Sequence, residues 1–279
     1  MTKIKSSILI SIILLIDIIL VFLCIATHQK QTETLKTIPN KKFKQTLVIN
    51  KPNTMKKSNI NPSIVSDKTI YLTFDDGPSY LTSQILDILK QQNVPATFFV
   101  TNQQFDKFEN IVKKAHIENH TVAIHTLTHN YSYIYSSDEN YKEDFEAIRS
   151  KIAKVIGYKP RILRLPGGSS NTISKKYSPQ IMTRITNYLN ENNFYYYDWN
   201  IDSGDASGKL SKEQIYNNVT SRLKEGENII LMHDSATKST TVEALNDIIN
   251  YGKANGYTFA KITKNTSPIH HHINNWNNN

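Results

Sequence analysis

The chain has 279 residues, 39% hydrophobic and 20% charged, which supplies a packed core and excludes wholesale disorder. A single cysteine excludes a disulfide framework and any cysteine-based zinc cluster. The formal charge of +9 invites a nucleic acid as partner, but residues 68–279 carry only +2 of it, so no nucleic-acid role is expected.

The excess charge sits near the N-terminus. Lys3 and Lys5 precede residues 8–26, which are apolar except for Ser11 and Asp17. At about 1.5 Å per helical residue that run spans about 28 Å, close to the hydrocarbon thickness of a bilayer. The sequence therefore predicts a cytoplasmic stub and transmembrane signal-anchor over 1–27, with the remainder outside the cell membrane. A cleaved signal peptide is the rival reading, although its apolar core usually runs only about 7–15 residues. Residues 28–67 hold eight lysines against Glu33 and Asp67, with Pro39, Pro52 and Pro62 and no apolar periodicity. That is the composition of a basic disordered linker.

From residue 68 the pattern alternates. Strands are expected at 69–74, 96–100, 121–124, 161–163, 194–197, 228–232 and 257–259. Helices are expected at 79–92, 104–119, 138–156, 179–192, 211–224 and 239–254. Seven such alternations predict a parallel β/α architecture over 68–264, closed or nearly closed. Residues 265–279, rich in Asn with three consecutive histidines, read as a disordered tail.

Polar residues fall where these strands end: Asp75 and Asp76, His125, Arg164, Asp198 and His233. In a β/α barrel those ends share one rim, which carries the chemistry. His125-Thr-Leu-Thr-His129, as a helical turn, would present two imidazoles on one face to one cation. The pair alone is unspecific, but a carboxylate from Asp75-Asp76 would complete a two-histidine, one-aspartate site suited to Zn²⁺ or another divalent ion. The tandem acids point in different directions, so one can bind metal while the other acts as a base; Ser79 reads as a helix N-cap. Arg164 can fix a carboxylate, and the glycines after it permit close backbone approach to a ligand. Trp199, beside Asp198, offers a wall for a sugar ring, and His233 is a candidate acid.

Taken together, Thr73-Phe-Asp-Asp-Gly-Pro-Ser79, His125-Thr-Leu-Thr-His129, Arg164-Leu-Pro-Gly167, Asp198-Trp-Asn-Ile-Asp202 and Leu231-Met-His233 resemble the five ordered motifs of the polysaccharide deacetylases, the NodB-homology domain of carbohydrate esterase family 4. The resemblance covers roughly 68–262. It implies a distorted (β/α)7 barrel and metal-dependent removal of N-acetyl groups from glycans. It implies Asp75 as general base, with Asp76, His125 and His129 as ligands of one divalent ion, Zn²⁺ before Co²⁺, Mn²⁺ or Ni²⁺. Arg164 would orient Asp75, Asp198 would tune His233, and His233 would be the general acid. Gly167, Trp199 and Leu231 would line the substrate groove, more open at Gly167, where many members carry a bulky side chain. With the outward anchor, the expected partner is cell-wall polysaccharide, above all N-acetylglucosamine of peptidoglycan, acted on by a monomeric catalytic domain. Exopolysaccharide, chitin fragments and acetyl xylan are the alternative substrates, and a non-catalytic glycan-binding module is the alternative class.

Overall fold

The computed structural model describes residues 68–273. The expected membrane segment and basic linker lie outside the described residues. Among the described residues no helix is long and apolar enough to cross a membrane.

Strand β1 (Lys68–Asp75) is followed by α1 (Tyr80–Gln92), β2 (Thr97–Thr101), α2 (Glu109–Ile117), β3 (Thr121–Thr126), α3 (Tyr131–Ile134) and α4 (Asp138–Ile156). Then come β4 (Ile162–Leu163), α5 (Ile181–Glu191), β5 (Tyr195–Tyr196), β6 (Ile201–Asp202), α6 (Lys212–Thr220), β7 (Gly226–His233), α7 (Ser239–Ala254) and β8 (Thr258–Ala260). The expected helix over 104–119 starts only at Glu109, and the one over 211–224 stops at Thr220. Strand β6 was not foreseen, because its one apolar residue, Ile201, stands between Asn200 and Asp202 and leaves no apolar run to detect.

Local chemistry sets several boundaries. Ser79 Oγ accepts the Leu81 N–H at 3.0 Å while Thr82 Oγ1 accepts the Ser79 N–H at 2.8 Å, a complete capping box for α1. Ser137 caps α4, which ends at Gly157 with φ +86°.

The strands form a parallel sheet in the order β5-β4-β3-β2-β1-β7-β6, with β8 beside the first half of β1. Strand β1 is central, paired along its whole length with β7 and at its C-terminal end with β2. Alternation along β1 sends Ile70, Leu72 and Phe74 into an outer core, where they meet Leu81, Ile85 and Leu89 of α1 and Leu245 and Ile248 of α7. Tyr71 points the other way and joins Phe99, Ala123, Tyr197, Ile229 and Ile262 in an inner cluster. Thr73 and Asp75 continue that inner row toward the rim. Helix α7 comes close to the sheet at Gly252, where a Cβ would lie 2.7 Å from the Phe259 ring and 2.9 Å from Ile70.

This is an α/β half-barrel of parallel strands rather than a closed barrel. Its two edges, β5 and β6, are joined by residues 197–200 and are not paired with each other among the described residues. The segment expected to be a disordered tail is packed as far as residue 273. Ile269 rests against the inner cluster, and the His270 ring stacks on Tyr196 at 3.7 Å and 8°. Ring stacking and backbone hydrogen bonds hold this segment, which is why apolar periodicity did not reveal it.

Candidate metal centre and active site

All the strands are parallel, so Asp75, His125, Arg164 and His233 emerge on one rim. Asp75 and His233 are register partners across β1 and β7. Asp76, His125 and His129 each offer one ligand atom, and these atoms lie within 4.8 Å of one another. Asp76 Oδ1 is 3.5 Å from His125 Nε2 and 3.3 Å from His129 Nε2. It is a buried carboxylate oxygen with no hydrogen-bond partner, an arrangement that is costly unless a cation is shared there. His125 Nδ1 lies 2.7 Å from the Arg164 carbonyl, so that nitrogen carries the proton and Nε2 keeps its lone pair for a ligand. Burial, helped by neighbouring His125, lowers the His129 pKa against the pull of Asp76 and Asp75, which favours the neutral imidazole. The residues present therefore fit a divalent cation.

The expected helical turn at His125–His129 does not form. His125 is the penultimate residue of β3, and His129 sits in a loop at φ +53°. The loop is shaped by Asp144 of α4, a buried carboxylate missed in the sequence. It accepts Thr126 Oγ1 at 2.6 Å, Leu127 N at 2.7 Å, and Thr128 N and Oγ1 at 2.9 and 2.7 Å. These four bonds curl residues 126–129 so that His129 turns back toward Asp76. Only the helical register of Phe145 and Ile148 placed residue 144 on the sheet-facing side, too weak a signal to assign a role.

Arg164 is fully buried. Its Nη1 donates to Asp75 Oδ1 at 2.8 Å and Thr73 Oγ1 at 2.7 Å, Nε to the Tyr197 carbonyl at 2.9 Å, and Nη2 to the Asp198 carbonyl at 3.1 Å. The guanidinium also lies 4.3 Å from the Phe99 ring centroid and 5.6 Å from that of Trp199. With every donor group engaged, it holds Asp75 in one orientation. Arg164→Met is expected to leave the buried Asp75 charge unpaired and to cost about 3–5 kcal/mol of stability. Urea titration would check this, and an unchanged midpoint would contradict the pairing.

His233 is governed by a different acid from the one expected. Asp205 Oδ1 lies 2.7 Å from His233 Nδ1, and Asp205 Oδ2 accepts the His233 N–H and Thr241 Oγ1, each at 2.8 Å. Burial alone would lower the His233 pKa, but the Asp205 hydrogen bond and charge, with Asp75 and Asp76, overcome it and raise the pKa to about 9. Asp198, expected in that role, instead accepts Ser169 N at 2.8 Å, Ser169 Oγ at 2.5 Å and His271 N at 2.8 Å. The reason is topological: Asp198 follows β5 beside β4, whereas Asp205 follows β6, the neighbour of β7. The spacing Asp202-Ser-Gly-Asp205 was the available signal.

Gly167, Trp199 and Leu231 were the residues expected to line a substrate groove. Gly167 has φ +75°, and a Cβ there would lie 2.8 Å from Tyr131 Oη. The side expected to be open is thus occupied by Tyr131, whose ring centroid is 5.4 Å from that of His129. Burial, with Asp76 and Asp75 nearby, raises the Tyr131 pKa to about 12, so its hydroxyl remains a donor. At Gly168 a Cβ would meet the Trp199 ring at 2.9 Å, so glycine there lets the indole lie against the loop. Leu231 is buried in β7. Behind the acids, Asp234 is buried, its pKa raised by burial to about 7, and the Gly77 backbone passes so near that a Cβ would collide with it.

Comparison with known proteins finds relatives of this chain. The polysaccharide deacetylase family pattern matches residues 63–193. A peptidoglycan-N-acetylglucosamine deacetylase of Bacillus cereus is 33% identical over 217 residues, 76% of this chain and 74% of that protein. The crystal structure of the catalytic domain of a peptidoglycan N-acetylglucosamine deacetylase from Eubacterium rectale is 42% identical with a TM-score of 0.72, covering 79% of this chain and 98% of that one. A polysaccharide deacetylase structure from Bacillus cereus is 32% identical with a TM-score of 0.63, covering 72% and 94%. The rim of ordered acids and imidazoles and these likenesses lead to one conclusion: the chain belongs to the polysaccharide deacetylase family and is an amide-hydrolysing enzyme.

Proposed function

We propose that this enzyme removes N-acetyl groups from N-acetylglucosamine of peptidoglycan. We place it at the outer face of the cell membrane, held there by residues 8–26. The observation that supports the chemistry best is the convergence of Asp76, His125 and His129 beside the register pair Asp75 and His233. The substrate is supported by the peptidoglycan N-acetylglucosamine deacetylases among the relatives and by the apolar run behind Lys3 and Lys5.

Asp76, His125 and His129 would hold one divalent cation, which when bound supplies a Lewis acid for the acetamide carbonyl and makes water a better nucleophile. Two imidazoles and a carboxylate suit Zn²⁺, with Co²⁺, Mn²⁺ and Ni²⁺ as substitutes. Asp75, oriented by Arg164, takes a proton from the attacking water. The backbone N–H at Gly167 donates to the oxygen on which negative charge develops. His233, kept charged by Asp205, gives its proton to the amine nitrogen as the C–N bond breaks, since an unprotonated amine is a very poor leaving group. Trp199 offers an aromatic wall to the sugar face.

The direct test is acetate release from purified peptidoglycan and from chitooligosaccharides, with and without a chelator. Release from peptidoglycan that stops on chelation and returns with Zn²⁺ is expected. Release from chitooligosaccharides alone would overturn the substrate, and release from neither would overturn the enzymatic reading.

A further inference from the structure

The C-terminal segment beyond β8 lies where the half-barrel is open, and it holds the residues that aim the buried arginine. Asp198 N donates to the Ile269 carbonyl at 2.9 Å, and His271 N returns a bond to Asp198 Oδ2 at 2.8 Å. His271 Nε2 lies 2.6 Å from the Trp199 carbonyl, so this nitrogen carries the proton; Nδ1 is left to accept from Ser170 Oγ at 3.2 Å. One residue earlier, His270 stacks on Tyr196 and places Nε2 3.0 Å from the Tyr196 carbonyl. Tyr197 Oη anchors the start of the segment on the Thr263 and Thr266 carbonyls at 2.8 and 3.0 Å.

Four consecutive residues, Tyr196 to Trp199, are therefore gripped by the C-terminal segment. The middle two are the ones whose carbonyls receive Arg164 Nε and Nη2. The sheet grips the two ends of the connection between β5 and β6, through Tyr197 N on the Leu163 carbonyl at 3.0 Å and Asn200 N on the Ile229 carbonyl at 3.1 Å, whereas the Asp198 N–H between them goes to the C-terminal segment. Asp198 and Arg164 are both fully buried, so a loosened turn would leave costly polar groups without their partners.

We propose that Ile269–His271 is a positioning strap: it closes the gap between β5 and β6, fixes the Tyr197–Trp199 turn, and through it sets Arg164 on Asp75 and Trp199 against the groove. His271 is the positioning residue, acting through its backbone N–H on Asp198 and its ring N–H on Trp199. Its effect on turnover rests on the deacetylase reading above; its effect on the turn does not.

The test separates the two. In full-length protein carrying Trp276→Phe, Trp199 is the sole indole. His271→Phe keeps the ring shape and removes its donor, whereas His271→Gln retains an N–H able to reach the Trp199 carbonyl. His271→Phe is expected to raise acrylamide quenching of Trp199 and to lower kcat about tenfold or more, since small misplacements of a catalytic constellation are costly. His271→Gln should stay near the parent in both. Deleting residues 268–279 should speed hydrogen exchange across residues 195–200 while the β1–β7 core remains protected. Parent-like quenching and exchange in the Phe and deletion variants would overturn the strap, as would equal impairment of the Phe and Gln variants. A parent protein that releases no acetate counts against the deacetylase reading alone, and quenching and exchange then decide the strap.

Discussion

Asp75→Asn is expected to lower acetate release about a hundredfold to ten-thousandfold while the cation remains bound. The substitution is nearly isosteric, and Asp75 is not among the three converging side chains that could hold the cation. An amide still offers an oxygen to Arg164 Nη1, which now bonds Asp75 Oδ1 at 2.8 Å, but it cannot take a proton from water. The same change leaves a fully buried guanidinium without its counter-charge, so stability falls as well, with breaking such a pair costing about 3–5 kcal/mol. Activity and metal content should therefore be measured on protein shown to be folded by circular dichroism. Activity within twofold of wild type would remove Asp75 from the role of base. Loss of the cation together with activity would instead make it a ligand.

Asp205→Asn should produce the second large effect, in the pH profile. His233 must be protonated to act as an acid. With its pKa raised to about 9, it is charged below that value and turnover falls as pH rises through it. Removing the Asp205 charge takes away the main force opposing burial, so the alkaline limb should move down toward the ordinary 6.5 or below. At pH 8 the loss should be roughly tenfold or more, because most imidazoles are then neutral. Asp198→Asn is the control: its carboxylate touches Ser169 and His271, not His233, so the limb should stay in place. An Asp198→Asn limb that shifts while that of Asp205→Asn does not would reverse the assignment. The same linkage acts on folding. A raised histidine pKa contributes stability that is full below about 6.5 and is lost as pH rises through about 9.

Much of the fold was legible because long, locally encoded signals carried it. The strand expected at 69–74, the run 228–232 and the helix expected over 138–156 each became the element expected. The capping role of Ser79 was legible because an N-cap is decided within three residues. Strand β6, whose single apolar residue is Ile201, and the four-residue helix α3 carry too few positions to show a period.

The sequence by itself determined the alternation of strands and helices, the residue types at the strand ends, and the three side chains, Asp76, His125 and His129, that come together on the rim. Parallel strands impose this, since all their C-terminal ends must share one side. Only the tertiary structure decided which acid serves His233, how Asp144 curls the loop to His129, and where His271 docks. Those pairings join residues 15 or more positions apart whose meeting depends on which strands are neighbours. Hydrogen bonds act over about 3 Å, so they are set by the final folded geometry and leave no periodic trace along the chain.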